Sequence, residues 1–68
     1  MPIIFVHQFK RPPEVKARVA ERLTAVLVEE CKVPPEQIEV IFQDLATDGY
    51  FKAGKQFAPT APNVIQPA

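Results

Sequence analysis

Ile3-Ile4-Phe5-Val6-His7-Gln8-Phe9 is a run of β-branched and aromatic side chains closed abruptly by Lys10-Arg11-Pro12-Pro13. That composition and that closure predict a strand. Ile3, Phe5, His7 and Phe9 fall on one face and Ile4, Val6 and Gln8 on the other, so both faces are largely apolar and both need cover.

The next segment supplies cover for one of them. Pro12 is held extended by the proline after it, while Pro13 and Glu14 suit a helix's first turn, where no backbone donor is missed and negative charge meets the positive dipole end. Val15, Val19, Leu23, Val26, Leu27 and Cys31, flanked by Ala20 and Thr24, recur at spacings of three and four, which predicts an amphipathic helix from Pro13 to Lys32 that Pro34 ends. Arg18, Glu21, Arg22 and Glu29 form its solvated side, with Glu14 and Arg18 spaced to pair. After Val33-Pro34-Pro35-Glu36, residues Ile38 to Leu45 alternate again, with Ile38, Val40 and Phe42 opposite Glu39, Ile41 and Gln43. A strand, a long helix and a strand make a right-handed crossover, so the two strands are expected to be parallel and the fold class α/β.

Asp48-Gly49 signals a turn, and Tyr50 to Lys55 a short hairpin. From Gln56 to Ala68 the chain carries no charge and is interrupted by Pro59, Pro62 and Pro67, which predicts an extended tail that either stays disordered or docks Phe57, Val64 and Ile65 on a neighbouring subunit. The expected organisation is one domain over residues 1–68, with a core at 2–55 and a Pro-rich tail at 56–68.

With 68 residues, one Cys and one His, the chain cannot staple itself with a disulfide or a paired-ligand metal site. One helix covers only one face of a two-stranded sheet, so the other face is expected to be a subunit interface and the protein a homo-oligomer. Eight Lys plus Arg against eight Asp plus Glu exclude the basic excess that nucleic-acid binding needs. No apolar run is long enough for a membrane span and no leader pattern is visible, so a cytoplasmic protein is expected. His7 and Cys31 lack sequence companions and read as structural residues, and no metal site or cofactor is expected.

Met1-Pro2 is the most suggestive dipeptide. Removal of Met1 before the small Pro2 would leave a secondary amine, and burial among Ile3, Ile4 and Phe51 would disfavour its charged form and bring it toward the range where a general base works.

Pro2-Ile3 leading to Val6-His7, Arg11 before the helix, Pro34 before the second strand, Ile38 to Leu45 and Gly49-Tyr50-Phe51 occur in an order and spacing that resemble the 4-oxalocrotonate tautomerase family, also called 2-hydroxymuconate tautomerases. The resemblance spans residues 2 to 55. It implies a β-α-β protomer with a final hairpin, assembled as a hexamer, and a cofactor-free isomerase of aromatic-compound catabolism. It further implies that Pro2 shuttles a proton between the enol and keto forms of a 2-oxo or 2-hydroxy-dienoic acid, that Arg11, with Lys10 as the alternative, holds a substrate carboxylate, and that Phe51 closes the pocket beside Tyr50.

One position departs from the pattern. Where the family has a second arginine in the second strand, this chain has Glu39, whose charge is reversed and disfavours a dicarboxylate there. Lys52 or Lys55 are the candidate replacements, and a monocarboxylate with an apolar remainder is the expected substrate. Two other readings are carried forward: a superfamily hydratase, dehalogenase or decarboxylase that uses a charged Pro2 with Glu39 as a water-activating carboxylate, and a non-catalytic oligomeric binding module.

Overall fold

A computed structural model of the protein describes residues 1–57 and Val64. Strand β1 spans Ile3–Phe9, helix α1 Pro13–Cys31 and strand β2 Glu39–Leu45. Two single turns of 3₁₀ helix, Pro35–Gln37 and Thr47–Gly49, bracket β2, and the two-residue strands β3 (Phe51–Lys52) and β4 (Lys55–Gln56) close the described chain. The fold is α/β.

β1 and β2 are parallel, with Ile3 opposite Glu39, Phe5 opposite Ile41, Val6 opposite Phe42 and Phe9 opposite Leu45. The Pro2 carbonyl accepts from the Glu39 N–H at 3.0 Å, which extends the pairing by one step below the ladder. Pro13 at the first helical position begins α1, and Lys32, in the left-handed region at φ 58°, ends it while its N–H bonds the Val28 carbonyl.

The helix lies on one side of the sheet. Ile4, Val6, Val40 and Phe42 are half-buried together with Val15, Val19, Leu23 and Leu27, whereas Ile3, Phe5 and Ile41 on the opposite face are 48%, 59% and 42% exposed. Thr47 is the only fully buried residue among those described. A parallel pair has apolar residues on both faces because it is normally covered on both, and here a single helix covers one.

Two residues of the expected helix stripe face outward. Val26 is 52% exposed, because the stripe drifts around a helix of 3.6 residues per turn and leaves Val26 at its rim; Val28, not part of the expected stripe, is half-buried instead. Cys31 is exposed at the end of a helix about 28 Å long that outruns strands of about 23 Å. The solvated side is as expected, but the Glu14–Arg18 pair does not form. The single ion pair among the described residues joins Lys16 on α1 to Asp44 on β2 at 2.8 Å, about a third exposed, and ties helix to sheet at about 0.5 kcal/mol.

Phe5 is the most exposed of the three apolar residues on the bare face, and covering a Phe there gains about 2 kcal/mol. Phe5→Asp should abolish self-association in sedimentation and lower the melting temperature, whereas the unmodified protein should melt at higher temperature as its concentration rises. A melting temperature independent of concentration would show that the bare face has no partner.

Candidate active site

At the foot of the sheet, Pro2 is half-buried directly ahead of β1, behind a Met1 that is 80% exposed. The register puts Glu39 beside it, since Glu39 both pairs with Ile3 and bonds the Pro2 carbonyl through its backbone. Strand alternation sends the exposed Glu39 side chain to the bare face, with Ile3 and Ile41.

The other candidates gather at the head of the sheet. Arg11 follows β1, half-buried, and its Nε is shielded from water without an acceptor among the described residues; the Gln8 amide nitrogen is in the same condition. Leaving such a donor unpaired costs on the order of 1 to 3 kcal/mol. Lys10 is exposed.

The hairpin is anchored to this end by rings. Phe9 packs against Tyr50 edge-on at 5.2 Å and against Phe57 at 6.0 Å, and Tyr50 and Phe57 lie 5.5 Å apart. The Phe57 N–H donates to the Tyr50 carbonyl at 2.9 Å, and the Gln56 side-chain amide donates to the carbonyl of buried Thr47 at 3.0 Å. Phe51 is left 61% exposed, and Lys52 projects beside it.

These positions correct one expectation. Phe51 does not shield Pro2 within one chain, because six strand rises, about 20 Å, separate the foot of β1 from its head. Tyr50 is 38% exposed, with its ring held by Phe9 and Phe57. Phe57 packs on Phe9 and Tyr50 of its own chain and stays 38% exposed; Val64 is half-buried and Ile65 lies outside the described residues. One chain thus brings Pro2 together with Glu39, and Arg11 together with Tyr50, Phe51 and Lys52, but not the first set with the second. Among the described residues no group of three or more His, Cys, Asp or Glu is placed to hold a metal, and no helix is long and apolar enough to cross a membrane.

Comparison with known proteins decides the family. The family model described as tautomerase enzyme matches residues 2–59, nearly the whole described chain. The chain belongs to the tautomerase family. Its fold is that of several solved 4-oxalocrotonate tautomerase homologues. TomN, a homologue in the tomaymycin biosynthetic pathway, is 30% identical with a TM-score of 0.74 over 81% of this chain and 86% of that one. Another 4-oxalocrotonate tautomerase homologue is 28% identical with a TM-score of 0.78 over 82% and 90% of the two chains. The 4-oxalocrotonate tautomerase isozymes from Methylibium petroleiphilum are 25% identical with a TM-score of 0.74 over 81% and 88%. No curated protein matches the sequence. A tautomerase-superfamily function follows from this membership.

Sequence reasoning missed the Phe9–Tyr50–Phe57 cluster and the Gln56–Thr47 bond, because neither spacing nor alternation links residues so far apart in the chain. Phe57→Ala should loosen the hairpin by about 2 kcal/mol, read as faster amide exchange over residues 51–56 with β1 and β2 unchanged. Equal exchange in variant and parent would mean that the turn alone holds the hairpin.

Proposed function

We propose that an oligomer of this chain is a cofactor-free isomerase that moves a proton between the enol and keto forms of a 2-oxo acid, with the Pro2 amine as base and then acid. The observation that carries the reading is the place of Pro2: half-buried at the open foot of a two-stranded sheet, in a chain whose family match runs from residue 2.

The chemistry requires removal of Met1, since an amide nitrogen is not basic. The neutral amine then takes the proton of the enol hydroxyl, the electron pair of that O–H bond re-forms the carbonyl, and the conjugated carbon takes a proton from the ammonium. No electrons leave and no second substrate enters. Arg11, half-buried, anchors the substrate carboxylate through its guanidinium, and Phe51 keeps the site dry so that the amine stays neutral. Because Arg11 and Phe51 lie at the far end of their own sheet, they reach Pro2 from a second copy that runs antiparallel across the bare face. The family resemblance implies a hexamer in which copies pair with their sheets side by side and these pairs cluster through the bare face, sheets inside and helices outside.

Glu39 beside Pro2 favours a second reading, in which a charged Pro2 acts as the acid of a hydratase, dehalogenase or decarboxylase and Glu39 activates water. The pH profile separates the two: a base-type Pro2 loses kcat/KM as pH falls and protonates it, an acid-type Pro2 as pH rises.

Pro2→Ala should lower kcat/KM for phenylenolpyruvate or 2-hydroxymuconate by 10²- to 10⁴-fold, the usual range for a positioned acid–base group. Arg11→Ala should act mainly on KM. Mass spectrometry of the purified protein should show Met1 removed and Pro2 labelled by an electrophilic alkynoate such as 3-bromopropiolate. Full activity in Pro2→Ala, or an unlabelled Pro2, would leave the non-catalytic binding module as the correct description.

A further inference from the structure

We propose that Lys52 and Lys55 of one copy of this chain clamp the Glu39 carboxylate of a second copy, so that three side chains from two subunits set the charge beside Pro2. The contact stands on geometry and charge; only its consequence for substrate rests on the reading of Pro2 as the reacting amine.

Lys52 and Lys55 are directly paired across the β3–β4 hairpin, joined by Ala53 and Gly54, both at positive φ (54° and 77°), as a tight two-residue turn requires. Directly paired residues project from the same face with Cα atoms about 5 Å apart, and like charges in that position destabilise a hairpin unless an anion lies between them. Both lysines are exposed, and neither has an ion-pair partner among the described residues. Asp44, the acid of adjacent β2, is already taken by Lys16. Asp48, exposed in the turn before the hairpin, makes no ion pair with either lysine.

Glu39 presents the complementary half of the problem. It is exposed on the bare face beside Ile3, with no cation paired to it among the described residues. The charges around it are mostly of its own sign: Glu36 lies in the preceding turn, and Glu29 and Glu30 end the helix, against Lys32 alone. The head of the sheet carries Lys10, Arg11, Lys16, Lys52 and Lys55 against Glu14, Asp44 and Asp48. In a chain of zero net charge the foot is therefore net acidic and the head net basic.

The foot and the head of one sheet are about 20 Å apart, so no chain can close this pair by itself. Two copies that bury Ile3, Phe5 and Ile41 against each other can do so in one sense only. Parallel stacking sets foot on foot and head on head, like charge on like; antiparallel stacking brings Glu39 of each to the hairpin end of the other, within reach of its long lysine side chains. The second copy is thus selected by charge as well as by apolar area. Two lysines against one glutamate leave one positive charge in the site, which is the cation that the resemblance expects from a second arginine and that Glu39 alone would deny. A 2-oxo acid with a second carboxylate is accordingly accepted, in contrast with the preference for monocarboxylates that Glu39 suggests in isolation.

Zero-length coupling with a carbodiimide joins a carboxylate to an amine only in contact. The expected result is a covalent dimer on a denaturing gel, from which digestion and mass spectrometry recover Glu39 linked to Lys52 or Lys55. Recovery of that link only from the monomer band, or its absence, overturns the proposal. Lys52→Glu with Lys55→Glu should weaken self-association and lower kcat/KM for 2-hydroxymuconate by about tenfold or more, and adding Glu39→Lys should restore self-association but not turnover, because two glutamates against one lysine leave a negative charge in the site. Losses of self-association that add instead of cancelling also overturn it. The link should form equally in Pro2→Ala, so a mistaken reading of Pro2 leaves it standing, and a missing link in a protein that Pro2→Ala inactivates sinks the clamp alone.

Discussion

A parallel strand pair with apolar residues on both faces and a single helix to cover them is the constraint on which this protein depends. The helix shields Ile4, Val6, Val40 and Phe42 and leaves Ile3, Phe5 and Ile41 in water. Among the described residues there is no second α-helix to cover them, and with one cysteine the chain has no internal disulfide. The remaining way to remove that apolar area from water is another molecule, and a second copy presents the matching surface at no cost in further sequence.

The same geometry disperses the candidate site. Parallel pairing sends both strands the same way, so the N-terminal amine and the carboxylate of Glu39 share the foot, while everything that follows β1 or β2 gathers at the head. There the rings of Phe9, Tyr50 and Phe57 bind the hairpin to the sheet and turn Phe51 and Lys52 outward. A hairpin of two residues per strand has no stability of its own, and this aromatic anchorage with the Gln56–Thr47 bond is what gives it a fixed direction. Outward-facing groups at the head and an amine at the foot are of use to each other only across an interface, which makes assembly part of the proposed chemistry.

Most of the architecture was legible in the residues. The apolar run Ile3–Phe9, the helix that Pro13 opens and the alternation along Ile38–Leu45 are local patterns, and local patterns survive because backbone periodicity is what generates them. The observed bounds, Ile3–Phe9, Pro13–Cys31 and Glu39–Leu45, lie within a residue of the expected ones. Met1-Pro2 was legible as a candidate because an N-terminal secondary amine is unusual chemistry, whereas Arg11 was legible only through the family resemblance.

What the tertiary structure decided was proximity and direction. Alternation put Glu39 on a face, but only the register, with Ile3 opposite Glu39 and the Pro2 carbonyl bonded to the Glu39 N–H, set it beside the amine. Tyr50 and Phe57 read as a pocket residue and part of a tail, and only packing showed that both rest on Phe9. Phe51 read as cover for Pro2 until the length of β1 separated them. Each of these outcomes depends on contacts between residues distant in the chain, whose free energies come from packing and charge in three dimensions and leave no periodic trace in one.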